Sequence, residues 1–153
     1  MKQLEADHLD EDTIVCVFSD HGRPMIRGKN WLYDSGTRIP LIIYYPKNVK
    51  KPDGYQTGKE NSELISSVDI VAETVLMGGG SIPGWMQGRS FLQRDSSPRQ
   101  YIHTAVDRIG DIDSCSRAVR TARFKYIRTL RRPDQSMNAP PHTAGRHIRF
   151  TTC

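Results

Sequence analysis

"IVCVFSDHGRPMIRGKNWLYDSGTRIPLIIYYP", Ile14 to Pro46, decides how this chain is read. A short apolar run, Thr13 to Phe18, is rich in β-branched residues and stops at Ser19-Asp20-His21-Gly22. Runs of this kind suit strands covered on both faces, as in α/β proteins. A core helix is the competitor, but the run is too short for one, and Gly22 and Pro24 follow too soon. Pro40 to Tyr45 reads as a second such strand, ended by Pro46. In open α/β sheets ligands bind beyond the carboxyl ends of strands, and Asp20 and His21 stand at that edge.

The flanks extend the pattern. "MKQLEADHLDED" has the character of a helix end followed by a polar turn. Lys47 to Asn61 carries Lys, Pro and Gly and reads as a surface loop. Asp69 is placed to cap a helix, "IVAETVLM", which Gly78-Gly79-Gly80 would stop and which should pack on the sheet. Ile82 to Arg99 reads as irregular connection. Tyr101–Val106, Ser116–Arg120 and Phe124–Leu130 are strand-like runs with turn residues between them, which predicts a small antiparallel sheet. From Pro133 the chain is polar, Pro-containing and without periodicity.

Composition sets limits. The 153 residues suit one ordinary domain and hold no stretch near the roughly 18 consecutive apolar residues of a membrane span. The three cysteines, Cys16, Cys115 and Cys153, form no CxxC pair, which argues against a zinc site or a disulfide framework. Cys16 is expected to be a small buried hydrophobe. The net charge of +5 gathers in "RAVRTARFKYIRTLRR", Arg117 to Arg132, which contains no acid. Such a stripe raises the question of nucleic acid. The preferred reading is the solvated face of strands, because Ala118, Val119, Phe124, Tyr126 and Ile127 interleave with the basic residues.

An ionised carboxylate at a strand end needs a partner, since burying one alone is costly. For Asp20 that partner is a metal ion shared with His21, an Arg or Lys, or a set of backbone amides. Lys29, nine residues after Asp20 and preceded by Gly28, could aim an ammonium at an anionic oxygen such as that of sulfate or phosphate; the alternative is a surface lysine.

The stretch resembles the second signature region of the sulfatases, in the alkaline phosphatase superfamily: a strand, then S-D-[NH]-G, then Gly-Lys, then L-Y-[DE]-x-G-x-R-x-P-L-I. Here these are Ser19-Asp20-His21-Gly22, Gly28-Lys29 and Leu32-Tyr33-Asp34-Ser35-Gly36-Thr37-Arg38-Ile39-Pro40-Leu41-Ile42. "SSVDIVAETVL" resembles the family's V-D-[IL]-x-P-T-[IVL]-L helix, with Glu73 where Pro is usual. "MQGRSFL" resembles its Q-G-x-S-[LF] turn, and "SRAVRTARFKYIR" resembles its C-terminal strand pair. The short interval from Asp20 to Lys29 is most similar to the heparan N-sulfatase branch.

The resemblance implies the end of a sulfatase-type mixed α/β sheet with flanking helices over residues 1–90, a small antiparallel subdomain over 91–132 and a loose tail over 133–153. It implies that Asp20 and His21 are two ligands of a calcium ion and that Lys29 binds a sulfate oxygen and aids the leaving oxygen. Gly36, Arg38 and Pro40 are read as structural. Asp107 and Arg108 fall near the substrate rim, where Arg108 is a candidate substrate contact and an ordinary surface ion pair is the alternative.

The family's nucleophile, a formylglycine made in C/S-x-P/A-S-R, has no counterpart here. "SCSRAV" and "SSPRQ" lack the spacing, and the acids at Asp7 to Asp12 are badly placed as further metal ligands. The expectation is therefore a partial sulfatase, inactive alone, that joins the missing N-terminal half of the same enzyme. The complete form would act on sulfate esters or N-sulfate groups of a sulfated small molecule or glycan. Nucleic acid and membrane are not expected partners. Family members are often secreted, periplasmic or lysosomal. The alternatives are a phosphodiesterase or phosphatase of the same superfamily, and a basic nucleic-acid-binding domain.

Overall fold

The computed structural model describes residues 1–109, 112–130 and 149–152. In chain order the elements are α1 (Lys2–Ala6), β1 (Val15–Phe18), α2 (Asp34–Thr37), β2 (Leu41–Tyr44), α3 (Ser67–Met77), β3 (Ile102–Ile109), β4 (Ile112–Arg120), β5 (Phe124–Thr129) and β6 (Arg149–Thr152). They form two units: Met1–Ser19 with Pro40–Arg99, and Asp20–Ile39 with Gln100–Cys153.

In the first unit β1 and β2 pair antiparallel, from Val15 opposite Tyr44 to Phe18 opposite Leu41. Their expected cover on both faces is not found. Val17, Phe18, Ile42 and Tyr44 are exposed, and so is Cys16. Among the described residues the two strands pair only with each other, and their side chains alternate between the two faces.

Helix α3 starts three residues earlier than Asp69 suggested. Ser66 is the N-cap, and Asp69 stands at the third helical position, where its Oδ2 accepts the Ser66 N–H at 2.8 Å. This is the carboxylate half of a capping box. The stop at the glycines is as expected. Gly80 N–H reaches Val75 O and Gly79 N–H reaches Leu76 O, both at 2.9 Å, with Gly79 left-handed at φ 79°, a Schellman ending.

The buried face of α3 is Asp69, Ala72 and Glu73, while Val68 and Val71 are exposed. This face turns to the irregular segment Gln87–Arg99 rather than to the strands, although Cys16 Sγ lies 3.9 Å from Met77 Sδ. Gly88 sits so close that a Cβ there would meet Val68 O at 2.2 Å. Asp69 accepts the Arg99 guanidinium and the Arg89 N–H. Glu73 Oε2 accepts Ser90 Oγ at 2.8 Å and the N–H groups of Phe91 and Leu92 at 2.9 and 3.3 Å. Buried charge is tolerable only with such partners. Tyr45 and Leu92 supply apolar cover, with the Tyr45 ring 4.8 Å from that of Tyr55.

The second unit holds an antiparallel sheet in the order β3-β4-β5-β6. Its first three strands fall on the three runs read from the sequence. The β4–β5 turn closes through Thr121 N–H to Phe124 O at 2.8 Å. A bulge interrupts β3 between Val106 and Arg108. Residues 149–152 of the polar C-terminal stretch add β6 along β5. The remainder of that stretch, His142 and His147 included, lies outside the described residues. No helix among the described residues is long and apolar enough to cross a membrane.

Candidate active-site segment

The segment Asp20–Ile39 is folded by backbone meeting backbone. Gly22 N–H donates to Gly36 O at 2.9 Å, and a Cβ on Gly22 would fall 1.8 Å from Ser35 O. A Cβ on Gly36 would fall 2.2 Å from Gly28 O and 2.3 Å from Trp31 O. Only glycine permits such approaches, which gives the structural reading of Gly36 its physical content.

This packing sets His21 beside Asp20. The ring nitrogen His21 Nδ1 lies 2.8 Å from Gly22 O. A carbonyl only accepts, so Nδ1 carries the proton; when the ring is neutral, Nε2 is then the nitrogen with the lone pair. That Nε2 lies 3.5 Å from Asp20 Oδ2. The Asp20 side chain is 85% exposed and that of His21 34%. A carbonyl that fixes the far nitrogen is the arrangement metal-ligating histidines use. Among the described residues no group of three or more His, Cys, Asp or Glu is gathered for a metal ion. Asp20 and His21 thus offer two donors, one hard oxygen and one imidazole nitrogen.

Lys29 follows in the same segment. Its N–H closes a turn onto Arg23 O at 2.9 Å, and Gly28 N–H reaches Met25 O at 2.8 Å. Arg27 and Asn30, on either side of Gly28-Lys29, take left-handed φ of 60° and 70°. Non-glycine residues are held there only when their surroundings over-determine them. Here the Ser35 hydroxyl donates to Arg27 O, and the Arg27 guanidinium lies 5.4 Å from the Tyr33 ring centre. Lys29 is exposed, and its ammonium pairs with no acid among the described residues.

What anchors the segment came from an unexpected place. Both carboxylate oxygens of Asp34 accept from Arg120 Nη1, at 2.7 and 2.6 Å. Lys125 Nζ lies 3.3 Å from Asp34 Oδ1 and also donates to Thr37 Oγ1. Lys125 is 2% exposed. Two cations of the basic stripe are therefore turned inward, which corrects its reading as a wholly solvated face. A signal was available: Arg120 and Lys125 stand directly opposite each other across β4 and β5. Like charges in that register repel unless an anion neutralises both.

Farther along the sheet, Asp107 pairs with Arg117 at 2.6 Å on the surface, the ordinary ion pair. Arg108 is exposed beside the bulge in β3, opposite Asp113.

A strand ending in Asp-His-Gly, a glycine-locked loop carrying Gly-Lys and a clamped L-Y-D-S-G-T-R turn define a class. The sulfatase family model matches residues 1–77, and the chain belongs to the sulfatase family. An ulvan-active sulfatase of Formosa agariphila is 39% identical over 141 residues, which is 92% of this chain and 22% of that relative. A 2-O GAG sulfatase structure aligns at TM-score 0.70 and 23% identity, over 84% of this chain and 29% of its own. A structure bound to its substrate D-glucosamine-2-N,6-O-disulfate aligns at TM-score 0.68 and 20% identity, over 99% of this chain and 30% of its own. These two likenesses speak to the fold. The chain thus spans under a third of the length of these relatives.

Proposed function

We propose that this chain is the C-terminal portion of the catalytic region of a sulfatase that hydrolyses sulfate groups on a sulfated glycan. Asp20 and His21 serve as two ligands of a calcium ion, and Lys29 contacts a sulfate oxygen. The observation that carries this reading is the convergence of Asp20 Oδ2 and His21 Nε2, a carboxylate oxygen and an imidazole nitrogen, to 3.5 Å. Two atoms that bind one ion at 2.3–2.6 Å stand about this far apart, so the two donors fit one corner of a calcium coordination shell.

Bound there, the ion would draw charge from the sulfuryl oxygens as a Lewis acid. Asp20 supplies hard anionic oxygen toward it. His21 is held by Gly22 in the tautomer that can ligate. Lys29 has an uncommitted ammonium on a rigid turn, suited to the charge gathering on the leaving oxygen. Arg108 would meet the substrate rim. The formylglycine nucleophile and further metal ligands would come from residues outside this chain, which alone would be inactive.

The names of the relatives, with ulvan, a GAG and a glucosamine disulfate as their stated targets, support a glycan substrate. The short Asp20-to-Lys29 interval supports the finer assignment to N-sulfate groups, as in the heparan N-sulfatase branch.

The test is sulfate release after co-expression with the coding region upstream, using 6-O-sulfated and N-sulfated glucosamine as separate substrates. Lys29→Ala is expected to lower turnover by about 10²–10³, the cost of one transition-state donor. Asp20→Ala is expected to remove the response to added calcium. Turnover untouched by Lys29→Ala would take Lys29 out of the reaction. No release from either sugar, with an intact C/S-x-P/A-S-R segment present, would overturn the assignment.

A further inference from the structure

Among the described residues two buried polar side-chain atoms lack a hydrogen-bond partner, Tyr45 Oη and Glu73 Oε1. Their residues are 4% and 1% exposed. An orphaned buried group of this kind is destabilising. Both residues line one cavity of about 230 Å³. Glu73 Oε2 already holds Ser90, Phe91 and Leu92, so the fold leaves Oε1 without use.

The chemistry of the two orphans selects the ligand. An ammonium donates to Glu73 but cannot accept from the phenol. A free anion accepts from the phenol but is repelled by Glu73. A hydroxyl does both. Tyr45 stays a donor, because burial first and then the charge of Glu73 push its phenol up to about 12. Val49, Leu76 and Met77 give the same cavity an apolar wall suited to the C–H face of a ring, and Lys50, Lys51 and Asp53 also line it, with Lys51 Nζ 5.8 Å from the Tyr55 ring centre.

We propose that this cavity is an accessory carbohydrate subsite, in which Glu73 and Tyr45 hold hydroxyls of one sugar ring and Lys50 and Lys51 face its sulfate. It shares no residue with Asp20, His21 or Lys29. The sulfate rests on the proposed function; the recognition of a hydroxyl rests on the orphaned atoms alone.

The test is binding of glucose 6-sulfate and of glucose to the full chain, followed by amide chemical shifts. It needs no nucleophile and no metal, so its failure is distinct from failure of the sulfatase assay. Shifts at Val49, Glu73 and Gln93 are expected with both sugars, and tighter binding of the sulfated one. Tyr45→Phe removes an unpartnered hydroxyl and should fold normally, while weakening both sugars about 2- to 10-fold, the worth of one neutral hydrogen bond. The double variant Lys50→Ala/Lys51→Ala should erase the preference for the sulfated sugar. Unchanged affinity in Tyr45→Phe, no shift with either sugar, or shifts confined to Asp20–Lys29 would each overturn the subsite and leave the cavity to water.

Discussion

Removing the guanidinium of Arg99 strands a buried charge. Asp69 is 1% exposed and accepts four donors: Arg99 Nε at 2.6 Å, Arg99 Nη2 at 2.5 Å, Ser66 N–H at 2.8 Å and Arg89 N–H at 3.0 Å. Arg99→Ala removes two of these together with the guanidinium counter-charge, leaving the carboxylate, among the described residues, on two amides. Breaking a buried pair from one side costs about 3–5 kcal/mol, which lowers the melting temperature of a chain this size by about 6–20 °C.

The pH dependence gives a second reading of the same pair. Burial pushes the Asp69 carboxyl up, but the Arg99 hydrogen bonds, then the Arg89 and Ser66 amides, outweigh it and hold the group below its ordinary value of 3.8. A depressed folded-state value means that the unfolded chain takes the proton more readily. The pair's stabilisation is therefore complete above 3.8 and is lost as pH falls through the lower, folded value. Urea unfolding followed by circular dichroism should show the widest gap between wild type and Arg99→Ala at pH 7. The gap should narrow in acid. A melting shift under about 2 °C, or a gap that does not narrow as pH falls, would refute the assignment of this pair as a structural anchor.

Four further outcomes follow from the same structure. Asp34→Ala removes the carboxylate that Arg120 and the buried Lys125 share and should destabilise by about 3–5 kcal/mol, read as a melting shift. Gly22→Ala puts a Cβ 1.8 Å from Ser35 O and should destabilise by at least about 1–3 kcal/mol. Gly84→Ala, with nothing within 4 Å, should fall within about 0.5 kcal/mol of wild type. Asp107→Ala opens only an exposed pair with Arg117 and should cost about 0–1 kcal/mol, less at high salt.

The second sheet was legible because its strands alternate and Thr121-Ala122-Arg123 separates two of the runs. The helix was legible in its stop but not in its start: Asp69 reads as a cap from its type, and only the Ser66-x-x-Asp69 spacing shows it one turn into the helix. Strands β1 and β2 were placed correctly, yet their exposure was not foreseen. An apolar run states that a face wants cover and does not say what covers it. Asp20 and His21 were legible from their place at a strand end. Arg120 and Lys125 were not, because a run of cations looks solvated until strand register sets two of them against each other.

The clamp on Asp34 has a practical consequence for anyone dividing this polypeptide. A recombinant fragment cut at residue 99 would retain every residue from Asp20 to Lys29 in its sequence. It would discard Arg120 and Lys125, the two side chains that hold Asp34 from the far strands. Such a fragment keeps the letters of the signature and loses its splint, so a negative result with it would say nothing about Asp20, His21 or Lys29.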